Sequence, residues 1–93
     1  MTDTVTLEQC IADPDVRLVL VGSTRAAARW RQENRVPFRR CVMAHTSQAL
    51  RGMTLAGSAI VYLHDSGQLS TALAETIKLA TLTGPPLAKF WVN

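Results

Sequence analysis

The sequence predicts a small α/β domain, a three-layer sandwich in which helices cover both faces of a mostly parallel sheet of three to four strands. Short apolar runs alternate with helical patterns, which is the order of parallel strands joined by right-handed crossovers. The run at residues 16–21 stays apolar after Arg17, as in a strand that is buried on both faces. The 93 residues, 47% hydrophobic and 18% charged, suit one folded domain over residues 1–93.

The N-terminal part of the chain predicts a short helix followed by the first strand. Thr6 is an N-cap residue with Gln9 three positions later, which is the spacing of a capping box. The helix then covers Leu7–Ala12 and ends at the Asp-Pro-Asp of residues 13–15, because the residue before a proline disfavours helical backbone. The apolar run at 16–21 follows as the first strand.

The second helix is predicted after Gly22, which ends the first strand. Ser23 or Thr24 is its N-cap, and it continues to about Arg35 because the Val-Pro at 36–37 stops helical backbone. One face, with a tryptophan as its anchor, is expected to pack on the sheet and contains Ala26, Ala27 and Trp30. The opposite side is expected to carry Arg25, Arg29, Arg31 and Arg35.

The rest of the chain alternates between further strands and helices. The predicted elements are a strand at 38–44 with 41–44 buried, a helical turn at 48–51, a strand at 59–63, a helix at 69–82 and a strand at 87–92. The apolar side of the long helix is expected to contain Leu69, Leu73, Ile77 and Ala80. As a terminal segment, the last strand is expected at a sheet edge, running antiparallel, or paired with another subunit.

Polar side chains follow the predicted strands at their carboxyl ends, where open α/β sheets bind ligands. If the first strand lies between the second and third, a candidate anion- or ligand-binding rim forms from Ser23, Thr24, Arg25, His45, His64 and Asp65. The helix N-terminus would attract an anion, and a histidine oriented by Asp65 would act as a general base. The alternative is that the hydroxyls are helix caps and the histidines are turn residues.

No complete catalytic or cofactor motif is present. Residues 22–27 lack the later glycines of a dinucleotide-binding loop and the Gly-Lys-Ser/Thr ending of a P-loop. A triad drawn from Ser23, His45 and Asp65 has no nucleophile elbow, and no spacing fits a zinc site. We therefore expect no catalytic residues, no metal and no cofactor, and a non-enzyme rather than an enzyme.

Positive charge is concentrated in one stretch of the chain. All eight arginines lie between Arg17 and Arg51, and Glu33 alone opposes them, so this stretch carries +7 against +3 for the whole chain. Three interpretations remain open: a solvated surface, contact with nucleic-acid phosphates, or an acidic protein partner. Nucleic acid is not favoured, because Trp30 is expected to point inward and no exposed stacking platform is evident.

Candidate partner-binding residues come from this basic helix and from the C-terminal aromatic segment. They are Arg29, Arg31, Arg35 and Trp91. The C-terminal aromatic side chains either fill the core or contact a subunit or partner, since Trp and Phe are common at interface centres. A homo-oligomer through the C-terminal strand is therefore one expectation.

Nothing in the sequence indicates export or membrane insertion. No signal peptide and no uninterrupted apolar run of about 18 residues is found. Cys10 and Cys41 are too few for a disulfide framework or a metal site and suit a reducing compartment. We expect a cytoplasmic protein with no membrane partner.

Three segments carry a resemblance to a known group of proteins. They are Arg-Trp-Arg-Gln-Glu-Asn-Arg at 29–35, Ser-Gln-Ala-Leu-Arg-Gly at 47–52 and Ile-Val-Tyr-Leu at 60–63. They resemble small, mostly uncharacterised α/β proteins of actinobacterial bacteriophages. The resemblance implies a phage accessory protein that acts in the host cytoplasm, and it implies no enzyme activity. Val-Leu-Val-Gly-Ser-Thr-Arg at 19–25 is also similar to the first strand and turn of small Rossmann-like nucleotide-binding domains.

Three functions follow, in order of preference. The first is a non-enzymatic interaction module that binds a host or phage macromolecule, most readily a protein, through the arginine-rich helix or the C-terminal strand. The second is a nucleotide- or phosphate-binding Rossmann-like domain that uses the rim residues. The third is a nucleic-acid-binding protein that uses the arginine-rich helix.

Overall fold

Four parallel strands form the central sheet of the part of the chain that the structure describes. The computed structural model describes residues 5–45, 50, 54–66 and 71–92. The strands are β1 (Arg17–Val21), β2 (Cys41–Ala44), β3 (Ser58–Tyr62) and β4 (Ala88–Trp91), and the helices are α1 (Leu7–Ala12), α2 (Thr24–Glu33) and α3 (Thr71–Thr83). The strand order is β2-β1-β3-β4, and every neighbouring pair is parallel. The predicted α/β fold is confirmed, with β1 between β2 and β3.

The side chains of β1 alternate between two cores, one on each face of the sheet. The first core lies under α1 and α2 and includes Cys10, Leu18, Leu20, Ala26, Ala27 and Val61. The second core lies under α3 and includes Val19, Val21, Ile60, Leu73 and Ile77. From Leu18 to Val21 no residue is more than 3% exposed. A strand covered on both faces has no solvent-facing position, which explains the unbroken apolar run.

Hydroxyl side chains begin the first two helices, as predicted. The Thr6 hydroxyl accepts from the Gln9 N–H at 3.1 Å, and the Gln9 side-chain oxygen accepts from the Thr6 N–H at 2.9 Å. This is the predicted capping box. For α2, the structure selects Ser23 as the N-cap, whose hydroxyl accepts from the Ala26 N–H at 3.1 Å.

The predicted end of α2 was wrong by about two residues. The helix ends at Glu33, and Arg35 takes the left-handed conformation with φ 55°. The Arg35 N–H donates to the Gln32 carbonyl at 3.2 Å and the Val36 N–H donates to the Arg31 carbonyl at 3.0 Å. These two bonds form a Schellman turn, which reverses the chain. Arg35 therefore lies outside the helix whose face it was predicted to share.

The second strand starts three residues later in the structure than the sequence predicts. Phe38–Arg40 forms a 3₁₀ turn, and β2 begins at Cys41. Only Ala44 of β2 is fully buried, whereas the three residues before it are half-buried. The reason is position: β2 is at a sheet edge, so its neighbours cover less of it than they cover β1.

The α3 prediction is confirmed over the residues that the structure describes. Leu73 and Ile77 are buried in the second core, and Ala80 packs against it. The predicted first residues of this helix, including Leu69, lie outside the described residues. So does the predicted turn at 48–51 apart from Leu50, which is 2% exposed in the second core.

Arg40 joins the end of α1 to the start of β1. Its guanidinium donates to the carbonyl oxygens of Cys10 (3.0 Å), Ile11 (2.8 Å), Asp13 (2.5 Å) and Val16 (3.2 Å). The last carbonyls of a helix have no partner within the helix, and a cation there also opposes the negative end of the helix dipole. Arg40 thus has a structural role that the charge pattern alone did not reveal.

We expect Arg40→Ala to lower the free energy of unfolding by about 2–3 kcal/mol, because several partly buried carbonyls lose a charged donor. Arg40→Lys should restore only part of this, since an ammonium group cannot reproduce the planar fork. The matched control is Arg39→Ala, which removes the same charge from an exposed side chain and should cost less than about 0.5 kcal/mol. Urea denaturation measures all three variants. Equal losses of unfolding free energy for Arg40→Ala and Arg39→Ala would contradict a stabilising role for the Arg40 hydrogen bonds.

A second expectation concerns the left-handed residue that ends α2. Arg35→Gly should raise the free energy of unfolding by about 0.5–1 kcal/mol, because glycine adopts positive φ without the Cβ penalty. The opposite change can be made at Gly57, which has φ 75° and open space where a Cβ would lie. Gly57→Ala should lower the free energy of unfolding by about 1 kcal/mol, because alanine is strained at positive φ. Chemical denaturation measures both. A destabilised Arg35→Gly variant would show that the arginine side chain itself contributes to stability.

Candidate functional site

The carboxyl ends of β1 and β3 lie side by side, as the predicted rim requires. Just beyond the paired strands, the Leu63 N–H donates to the Val21 carbonyl at 2.9 Å. The Asp65 carboxylate accepts from the Ser23 N–H at 3.2 Å, directly at the N-terminus of α2. Two of the predicted rim residues, Ser23 and Asp65, are thus brought into contact.

Asp65 provides the negative charge at the N-terminus of α2. Hydrogen bonding from Ser23, chiefly from its side chain, holds the pKa of the Asp65 carboxyl below its usual range against the opposing effect of partial burial. The neighbouring His64 charge acts in the same direction. An external phosphate would have to displace this internal carboxylate from the position that helix dipoles favour for anions.

Gly22 is explained by this close approach rather than by a phosphate-binding loop. A Cβ at residue 22 would lie 2.8 Å from the Asp65 carboxylate oxygen and 2.9 Å from the Leu63 Cβ. Both distances are too short for a real carbon. Glycine is therefore required so that the turn after β3 can pack on the turn after β1.

The other predicted rim residues do not join this contact. Thr24 and Arg25 are exposed in the first turn of α2, and His45 is exposed after β2. His64 is exposed as well, and it lines a different feature, a groove on the α2 side of the sheet.

This groove lies between α2 and the carboxyl ends of β3 and β4 and has a volume of about 260 Å³. It is lined by Ala26, Arg29, Trp30, Glu33, Leu63, His64 and Val92. Leu63 is 4% exposed and Trp30 is half-buried, so both give the groove apolar walls fixed in the first core. On its rim the Arg29 and Glu33 side chains form an ion pair at 2.9 Å. We call this feature the α2 groove.

The α2 groove joins residues that the sequence placed in separate sets. Arg29 is a predicted partner-binding residue, and His64 is a predicted ligand-binding residue. Trp30, Glu33 and Val92 were not predicted as site residues. The spacing of Trp30 with Ala26 indicates a sheet-facing side chain, but not that part of it borders an open groove. Val92 carries no sequence signal for this role, because only the sheet order brings it beside α2.

The arginines do not form one continuous basic face. Arg31 is half-buried: its guanidinium donates to the Val36 carbonyl at 3.3 Å and lies 5.5 Å from the centre of the Phe38 ring. Arg35 lies beyond the helix. The predicted shared face of Arg25, Arg29, Arg31 and Arg35 is therefore reduced to Arg25 and Arg29.

The C-terminal aromatic side chains have different environments. Phe90 packs against the first core, whereas Trp91 is 71% exposed. Trp91 stacks on Tyr62 of the neighbouring strand, with ring centroids 4.9 Å apart and an interplanar angle of 10°. Phe90 thus adds to the edge of the first core, whereas most of the Trp91 side chain stays exposed.

The described part of the chain offers no group of three or more His, Cys, Asp or Glu side chains placed to hold a metal ion. Cys10 and Cys41 are both free thiols. Burial raises the pKa of each thiol, and Asp13 adds to the effect at Cys10 while Arg31 and Arg40 oppose it at Cys41. Among the described helices, none has the length and apolar character to cross a bilayer.

No protein-family model matches the chain, and comparison with curated proteins and with solved structures also finds no match. The resemblance to phage proteins therefore stays a prediction.

The Asp65 contact predicts a specific pH dependence. Because the folded-state pKa of Asp65 is lowered, its stabilisation is present above the unfolded pKa and is lost as pH falls through the folded pKa. Asp65→Asn should lower the free energy of unfolding at neutral pH by about 0.5–1.5 kcal/mol. The difference from wild type should shrink in acid, as measured by urea denaturation across pH. Asp15→Asn, at an exposed carboxylate, is the control. If the difference in unfolding free energy between wild type and Asp65→Asn does not change with pH, the charge of Asp65 does not stabilise the fold.

Proposed function

We propose that the protein is a non-enzymatic interaction module, a phage-type accessory protein that binds an acidic segment of a host or phage protein in the host cytoplasm. The α2 groove is the observation that carries this proposal. It combines apolar walls from Trp30 and the buried Leu63 with the exposed Arg29 on its rim.

The size of the groove favours partner side chains over a small molecule. Its volume of about 260 Å³ is below the roughly 300–1,000 Å³ of sites that enclose a small ligand. One or two apolar side chains from a partner would fill it. Trp30 and Arg29 are also of the residue types that dominate interface energies.

The rim favours an acidic partner. The Arg29 and Glu33 side chains are 80% and 61% exposed, and such surface pairs are worth only about 0–1 kcal/mol. An incoming carboxylate can therefore replace Glu33 at Arg29 at little cost. Arg25 lies one helical turn earlier, and the surrounding stretch of +7 would attract acidic surfaces over longer distances.

The other candidate functions have less support. Asp65 already occupies the anion position at the N-terminus of α2, which disfavours nucleotide or phosphate binding there. Arg31 and Arg40 make internal hydrogen bonds, so fewer guanidinium groups remain for a nucleic-acid backbone. His64 makes no hydrogen bond to a hydroxyl or thiol among the described residues, which leaves it without an activated nucleophile.

Affinity capture from phage-infected and uninfected actinobacterial lysates tests the proposal. We expect Arg29→Glu to fail to capture proteins that bind wild type and an Arg39→Glu control, because Arg29 lines the groove and Arg39 does not. For a purified captured protein, Arg29→Glu should raise the dissociation constant by about tenfold or more, since a rim cation is replaced by a repelling acid.

A fluorescence titration locates the contact. The chain has two tryptophans, so the Trp91→Phe variant keeps Trp30 as its single tryptophan. Binding of the captured protein should then change the fluorescence emission of Trp30. Capture that is equal for Arg29→Glu and Arg39→Glu, or unchanged Trp30 emission on binding, would contradict the groove as the binding site.

A further inference from the structure

The outer edge of β4 is a second candidate interaction surface. β4 pairs with β3 on one side, and the described residues place no strand on its other side. An open strand edge presents unpaired N–H and C=O groups to any other strand that can align with it. None of the residues from Ala88 to Trp91 lines the α2 groove, although Val92, which follows β4, does. Neither the groove nor the proposed function is needed for an interaction at this edge.

The side chains of β4 divide between the two faces of the sheet. Phe90 and Val92 pack on the first-core side, and Ala88 shares that side through its pairing with Ala59. Lys89 and Trp91 are on the second-core side, paired with Ile60 and Tyr62. Both side chains are exposed, and Trp91 is held flat against Tyr62.

We propose that β4 pairs antiparallel with β4 of a second copy of this chain, about a two-fold axis that passes beside Phe90. A two-fold axis perpendicular to the sheet keeps the first-core faces of both copies on the same side. Residues that lie opposite each other must therefore belong to the same face of the sheet. In this register Phe90 lies opposite the partner's Phe90, and Ala88 lies opposite the partner's Val92. On the other face Lys89 lies opposite the partner's Trp91, and Trp91 lies opposite the partner's Lys89.

This register is favoured by charge and by aromatic contact. Each of the two symmetric pairs sets an ammonium group beside a tryptophan ring, which is a favourable cation–π arrangement. Stacking on Tyr62 already fixes the orientation of the ring. A register centred on Lys89 would instead oppose two like charges, which destabilises a strand pair. A register centred on Trp91 sets the two Trp91 side chains opposite each other and leaves each Lys89 without a tryptophan ring opposite it.

The strand is thus self-complementary, which is what an isologous two-fold interface requires. Joining two β4 strands would also remove the open edge. Lys89 is the single charged residue of β4 that would otherwise discourage unwanted strand pairing there. We therefore infer that the occupant of this edge is a second copy of this chain.

Sedimentation equilibrium over a wide concentration range tests the dimer. Wild type should show a reversible monomer–dimer equilibrium. Trp91→Ala and Lys89→Glu should each raise the dimer dissociation constant by about tenfold or more, because each change affects both symmetric pairs. Both residues are exposed, so circular dichroism should show a folded variant. Phe38→Ala and Lys78→Glu, at exposed positions elsewhere, are the matched controls and should dimerise as wild type does.

Cross-linking tests the register. A mixture of Lys89→Cys and Trp91→Cys chains, treated with a short bifunctional maleimide, should form mixed dimers with far higher yield than either variant alone. The mixed dimer keeps one native lysine–tryptophan pair, and each single variant controls for reaction at Cys10 and Cys41. A protein that stays monomeric at all concentrations, or a dimer that both substitutions leave unchanged, would overturn the proposal. Equal yields from the mixture and from either variant alone would overturn the register.

Discussion

The burial of β1 on both faces is the constraint on which the rest of the fold depends. A strand that is paired on both edges and covered on both faces needs apolar side chains throughout and helices on each side. From Leu18 to Val21 the chain meets that demand. Since both neighbours of β1 are parallel to it, the chain must cross over between strands, which brings their carboxyl ends to one edge of the sheet. The contact of Ser23 with Asp65 and the position of the α2 groove both follow from this arrangement.

A few charged groups make internal hydrogen bonds, whereas the other arginines that the structure describes are exposed. Arg40 binds the end of α1, Arg31 closes the turn after α2, and Asp65 accepts from the N–H of Ser23, the N-cap of α2. These groups give the short elements defined ends, which matters in a chain whose helices are too short to be stable alone. Arg25 and Arg29 remain on one exposed helix face, beside an apolar groove. The positive charge concentrated between residues 17 and 51 is therefore not one continuous basic surface.

Local patterns carried much of the fold. The capping box at Thr6 and Gln9, the buried run that became β1 and the apolar side of α3 were all predicted from residue type and spacing. Each depends on interactions within one element or on burial on both faces, which periodicity reports directly. The errors lie at boundaries. The end of α2 and the start of β2 were both misplaced, because a left-handed Arg35 and the 3₁₀ turn at 38–40 belong to the connection between elements rather than to either pattern.

The sequence by itself determined the α/β class with a mostly parallel sheet, the capping box of α1, the concentration of arginine and the presence of polar residues after the strands. The tertiary structure alone decided which of these groups meet. It paired Asp65 with Ser23 across 42 positions, tied Arg40 to carbonyls 24–30 positions away, and placed Val92 beside Trp30. It also packed Phe90 against the first core while leaving Trp91 exposed. The physical reason is that strand order and edge position set these contacts, and side-chain spacing along the chain encodes neither.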